Sequence, residues 1–263
     1  MARVSLVSSR IVKKSNNPIV QDWQSKLQGK VVVIVGGTGG IGSTLARKLA
    51  PTGAQLVLAA RRGDQLSILE AELRAIGASV LAVPTDITDA AQVASLMDRA
   101  IAQFGQVDVL VNAAGAGILK QFNKLTEADL DQMLAVNLKG SFHTCQAAIE
   151  VMKDRKVGHI CNVIGILGKH SMAMGAAYCA SKFALSGLSK CMADEARRYG
   201  IKVTLFYFGG IDSPFWDNVS LKVDRSKMLS TTTAAESILF ALSAEPQAIP
   251  MEINIQPESH LFF

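Results

Sequence analysis

From Lys30 onward the chain alternates short apolar runs with amphipathic stretches. Val31–Val35 is an unbroken β-branched run, which predicts a strand buried on both faces, because a strand with one wet face would alternate apolar and polar positions. Similar runs follow at Gln55–Ala60, Ser79–Val83, Val107–Val111, His159–Ile164, Lys202–Tyr207 and Glu252–Ile255. Between them helical periodicity covers Ile41–Ala50, Asp64–Ile76, Ala90–Phe104, Glu127–Lys153, Ala176–Tyr199 and Ala234–Leu242. Strand and helix in alternation predict an α/β chain: a single-domain Rossmann fold, with a doubly wound parallel sheet of about seven strands and helices on both faces. Phe208 to Thr233 breaks the rhythm. A stretch of that length after a strand's carboxyl end is expected to serve a ligand site.

Composition narrows the picture. Apolar residues make up 49% and charged residues 19% of 263, enough to bury a sizeable core and too apolar for disorder. The domain is expected over residues 29–257. Residues 1–28 form a basic arm, with Arg3, Arg10, Lys13, Lys14 and Lys26 against Asp22. It reads either as an arm lying on the domain or a neighbouring subunit, or as an organelle-targeting segment. Residues 258–263 end in the apolar Leu261, Phe262 and Phe263, a tail that a partner subunit would cover. A net charge of +5, without basic residues interleaved with aromatics, suits an anionic small molecule and argues against nucleic acid. No apolar run reaches the roughly 20 residues that span a bilayer. Cys145, Cys161, Cys179 and Cys191 lack metal-ligand spacing, so free thiols in a cytoplasmic protein, with no metal, are expected.

Gly36, Gly37, Thr38, Gly39, Gly40, Ile41 and Gly42 lie between the first strand and the first helix. Glycines there permit a tight turn and close backbone approach, and the helix N-terminus offers unpaired N–H groups to a pyrophosphate. The second strand ends in Ala60-Arg61-Arg62. A carboxylate at that point would accept from the adenosine ribose hydroxyls of NAD. Ala60 cannot, whereas Arg61 and Arg62 can pair with a 2′-phosphate, so NADP(H) is the expected cofactor. Tyr178 and Lys182, spaced i, i+4, share a helix face, and an ammonium beside a phenol is expected to lower its pKa toward the working range.

Taken in order and spacing, these residues resemble the short-chain dehydrogenase/reductase family from Leu27 to Pro257. Gly36, Gly40 and Gly42 match its TGxxxGxG signature, with Val35 where threonine is usual. Asn112-Ala113-Ala114-Gly115 resembles NNAG, with Ala113 replacing the second asparagine, and Tyr178 through Lys182 matches YxxxK. Gly209-Gly210-Ile211-Asp212-Ser213 resembles the PGxxxT turn, with Phe208 and Ser213 substituted. The resemblance implies that Asp86 and Ile87 meet the adenine, and that Asn112, Ala113, Gly115, Gly209 and Ile211 also line the cofactor. It implies that Tyr178 is the acid/base, that Lys182 holds the nicotinamide ribose, and that Asn137 organises a proton-relaying water.

One departure stands out. The family's serine, thirteen positions before the tyrosine, is Gly165 here. Three explanations are open: a substitute donor such as Ser171, His170 or a water; a substrate activated or bulky enough to do without the serine; or a cofactor-binding regulatory or scaffold protein with weakened catalysis. The leading expectation is an NADP(H)-dependent enzyme that interconverts a carbonyl (ketone, aldehyde or 3-oxoacyl group) and an alcohol. Ile166, Leu167, Met172, Met174, Phe208, Phe215 and Trp216 are expected to wall an apolar pocket. The family also implies a homodimer or homotetramer built through the two long helices, the second carrying Phe183, Leu185 and Leu188.

Overall fold

The computed structural model describes residues 23–219, 221 and 223–259. Its strands are β1 (Val31–Val35), β2 (Gln55–Ala60), β3 (Ser79–Pro84), β4 (Val109–Asn112), β5 (Gly158–Val163), β6 (Ile201–Phe208) and β7 (Glu252–Ile255). They form one seven-stranded sheet in the order β3-β2-β1-β4-β5-β6-β7, and every neighbouring pair is parallel. The strand order reverses between β1 and β4, which opens a crevice at their carboxyl ends where ligands bind in folds of this kind.

The principal helices are α1 (Gly40–Leu49), α2 (Gly63–Ala75), α3 (Ala90–Phe104), α4 (Glu127–Met133), α5 (Gly140–Met152), α6 (Ala176–Ala196) and α7 (Thr231–Leu242). Alternation along β1 divides the core: Val31, Val33 and Val35 pack with α3, α5 and α6, and Val32 and Ile34 with α1, α2 and α7. All five side chains are buried, each stabilising the fold by roughly 1.5–3 kcal/mol relative to exposure. Helices thus cover both faces of the sheet.

The structure refines the periodicity in several places. β4 begins at Val109 rather than Val107 and extends to Asn112. The helix expected over Glu127–Lys153 is interrupted by a π turn at Leu134–Lys139, a wide turn common near functional sites. The irregular stretch after β6 contains short 3-10 turns at Pro214–Asn218 and Arg225–Lys227 before α7 begins. The arm up to residue 22 and the tail residues Leu261, Phe262 and Phe263 lie outside the described residues. No helix among the described residues is long and apolar enough to cross a membrane.

Candidate active site

The carboxyl ends of β1, β4, β5 and β6 surround a cleft of about 950 Å³. The turn after β1 forms one end. Gly36 has φ +82°, and a Cβ there would lie 2.6 Å from the Ala114 nitrogen. A Cβ on Gly42 would lie 2.3 Å from the Gly36 carbonyl oxygen. Backbone against backbone therefore excludes any side chain. Thr38, Gly39, Gly40 and Ile41 line the cleft itself. The N-cap of α1 is Gly39, with no side-chain cap and no acid in the first turn, so this helix end is left to an anionic group.

The cleft wall after β2 and β3 differs from the sequence expectation. Arg62 and Gln65 lie on the cleft wall, and Arg61 does not. Asp86 is turned to Thr88, whose amide and hydroxyl both donate to its carboxylate, holding it below the usual carboxylate range. Ile87 is buried against Gly140 and is not part of the wall. Asn112 is buried between strands, its Nδ2 donating to Asn162 Oδ1 (2.9 Å) and its Oδ1 accepting from the Thr144 hydroxyl (2.8 Å). Ala113, Gly115, Gly209 and Ile211 do line the cleft.

At the other end stand Tyr178 and Lys182 of α6. Lys182 Nζ donates to the Val163 carbonyl at 3.3 Å and would be 3.6 Å from a Cβ on Gly115, so that glycine keeps the ammonium open to the cleft. No ion pair to Lys182 occurs among the described residues, and burial pulls its pKa down to about 8. Burial also pushes the Tyr178 phenol above its ordinary range. This reverses the expectation that Lys182 lowers it. The ammonium lies 5.8 Å from the Tyr178 ring centroid, and its attraction does not offset the phenolate's desolvation.

Asn137 sits in the π turn, fully buried and off the cleft wall. Its Nδ2 donates to the Ala116 carbonyl (2.9 Å) and the Ser181 hydroxyl (3.0 Å), and its Oδ1 accepts from the Ala116 amide (2.9 Å). Ser141 supplies a hydroxyl to its carbonyl (3.0 Å). Asn137 thus ties the segment following β4 to the helix bearing Tyr178, one turn from that residue.

Gly165 leaves β5 with φ +87° and ψ 156°, a conformation essentially confined to glycine. A Cβ there would meet only the Tyr178 Oη at 3.7 Å and the Phe208 carbonyl oxygen at 3.9 Å. Neither Ser171 nor His170 lies on the wall. Of the apolar walls expected from sequence, Ile166, Leu167, Met172, Phe208, Phe215 and Trp216 are present and Met174 is not. Phe215 packs on Tyr178 at 5.9 Å between centroids and covers Gly117. Leu119, Asp224, Lys227, Met228 and Pro257 also reach the wall, and no local motif marks them. Arg225 holds this region together. Its guanidinium bonds Asp212 (2.6 Å), Asp217 (2.7 Å) and the Ser213 carbonyl (3.2 Å).

The chain matches the short chain dehydrogenase family over residues 30–224. It is 31% identical over 231 residues to an uncharacterized oxidoreductase of Staphylococcus aureus strain N315, covering 88% of this chain and 98% of that one. Among solved structures it resembles an alcohol dehydrogenase of the archaeon Thermococcus sibiricus complexed with 5-hydroxy-NADP. That likeness has a TM-score of 0.82 and 26% identity, covering 89% of this chain and 99% of that one. A metagenomic short-chain oxidoreductase in complex with NADP is also similar, with a TM-score of 0.76, 31% identity and the same two coverages, 89% and 99%.

Proposed function

This chain belongs to the short-chain dehydrogenase family of NAD(P)-dependent oxidoreductases, and from that premise we propose that it reduces a carbonyl with NADPH, Tyr178 acting as the acid. The observation that carries this reading is the placement of Tyr178 and Lys182 in one cleft with the uncapped end of α1. When bound there, the dinucleotide supplies a hydride to the carbonyl carbon. The Tyr178 phenol gives its proton to the carbonyl oxygen, which leaves an alcohol. A neutral phenol is the state that donates a proton, so in reduction Tyr178 serves as the acid. Lys182 remains mostly protonated at neutral pH, and its N–H groups would donate to the ribose hydroxyls of a dinucleotide bound in the cleft. The Phe215 ring shields the phenol and, with Ile166, Leu167 and Met172, makes an apolar substrate the better fit.

NADP(H) over NAD(H) is supported by Arg62 and Gln65 on the wall beside the end of β2, where Ala60 offers no carboxylate. The two NADP-containing neighbours point the same way. A homo-oligomer is supported by Phe142 of α5 and Phe183 of α6, which expose 42% and 46% of their surface. Leu185 does not contribute to such a face, since it is buried in the chain's own core.

The test is NADPH oxidation against ketones, aldehydes and 3-oxoacyl thioesters, with Tyr178→Phe beside the wild type. Turnover is expected to fall on the order of 10²–10⁴-fold in the variant while NADPH binding persists. Tight NADPH binding with no turnover of any carbonyl would instead favour the regulatory or scaffold reading that the lost serine raises. Arg62→Ala is expected to weaken NADPH far more than NADH, and more than Arg61→Ala does.

A further inference from the structure

The space beside Gly165 is bordered by oxygen atoms. β5 ends at Val163, paired with Phe206, and the amides of Ile164 and Gly165 both donate to the Phe206 carbonyl (2.9 and 3.0 Å). Carbonyls alternate along a strand, so Phe208 turns its carbonyl to the same side as Phe206. The next amide along β5 would have met it there. At Gly165, however, the positive φ carries the chain away into the 3-10 turn Ile166–Gly168, and no amide among the described residues bonds the Phe208 carbonyl from that side. That oxygen therefore lies at the cleft wall, 3.9 Å from the point where a side chain would begin, with the Tyr178 phenol 3.7 Å from the same point. In the family pattern a serine hydroxyl here would donate toward the substrate oxygen. This chain instead presents there a carbonyl oxygen to which no backbone amide among the described residues donates.

Resting on the reading of this site as a carbonyl reductase, we propose that Gly165 determines the substrate class: a ketone or aldehyde bearing a hydroxyl on the carbon next to the reacting carbonyl. The hydroxyl enters the space left by the missing side chain and donates to the Phe208 carbonyl, while the reacting oxygen takes the Tyr178 proton. The substrate hydroxyl thus occupies the place of the missing side chain and pairs the Phe208 carbonyl, leaving the reacting oxygen to the Tyr178 phenol. The remainder of the substrate is apolar, set against Ile166, Leu167 and Phe215. Selectivity of this kind is steep, because an analogue without the hydroxyl leaves a desolvated carbonyl unpaired.

The experiment compares 2-hydroxyacetophenone, 2-methoxyacetophenone and propiophenone as substrates of the full chain with NADPH, reading kcat/KM. The methoxy ketone is similarly electron-withdrawing but has no donor, and propiophenone matches the shape. We expect the hydroxy ketone to exceed both by about tenfold or more, the worth of one hydrogen bond. Equal values for the hydroxy and methoxy ketones would overturn the proposal by assigning the effect to electron withdrawal. Equal values for all three, or reduction only of other carbonyls, would overturn it and leave carbonyl reduction standing. Failure to reduce any carbonyl would bring down the proposed function, and this inference with it. Gly165→Ala, whose Cβ would sit 3.7 Å from the phenol, should collapse the hydroxy-to-methoxy ratio toward one. A retained ratio in a folded variant would also overturn the proposal. If the variant does not fold, the wild-type ratio decides alone.

Discussion

Gly36 after β1 and Gly165 after β5 leave their strands with nearly the same φ, +82° and +87°. Their surroundings are opposite. At Gly36 a Cβ would be driven into the backbone of Ala113 and Ala114 at 2.6–2.9 Å, so both space and conformation demand glycine. At Gly165 a Cβ would meet ordinary contacts no closer than 3.7 Å, so conformation alone demands it. One glycine lets two segments of the protein touch. The other keeps a part of the cleft clear beside the phenol. A shared backbone angle thus serves packing after β1 and leaves open space after β5.

The largest effect that would test this contrast is Gly36→Ala. Strain at a positive φ and overpacking against backbone each cost about 1–3 kcal/mol, and together they should unfold the protein or abolish NADPH binding. Urea denaturation with NADPH titration checks it. Gly165→Ala should incur only the strain, about 1–3 kcal/mol, and should still bind NADPH. Equal destabilisation by the two substitutions would break the comparison.

Lys182→Met sharpens the contrast beside Tyr178, where a buried cation has, among the described residues, only the Val163 carbonyl as its bonded partner. The folded-state pKa of about 8 lies below the ordinary 10.5, so the folded chain releases this proton more readily than the unfolded chain. The cost of the charge is therefore full below pH 8, diminishes between 8 and 10.5, and vanishes above. The cofactor-free variant should be more stable than the wild type by on the order of 2–3 kcal/mol at pH 7, with the gap closing at alkaline pH, and should lose activity. A gap that does not depend on pH would refute the electrostatic origin. Stability curves at several pH values provide the measurement.

Much of the fold was legible because parallel strands buried on both faces leave continuous apolar runs, as in Val31–Val35. The glycine turn and the Tyr178–Lys182 pair were legible for a related reason, since each is defined by neighbours within one turn. Arg61 and Arg62 were indistinguishable as adjacent cations, and only the folded structure lines the cleft with Arg62. Helical periodicity could not reveal the π turn that buries Asn137, because the apolar pattern continues through it. Leu185 and Phe183 share one apolar row in sequence. Packing sends the first into the core and leaves the second exposed.

What the sequence determined by itself was the order of strands and helices, the glycine turn after β1, the Tyr178–Lys182 spacing and a glycine at position 165 where the family pattern has serine. These follow from local periodicity and from residue chemistry at short separations. Only the tertiary structure decided what surrounds that glycine. The register of β6 against β5 aims the Phe208 carbonyl at the gap, and the burial of Tyr178 sets the direction of its pKa shift. Both depend on distant segments meeting, and no local spacing encodes that.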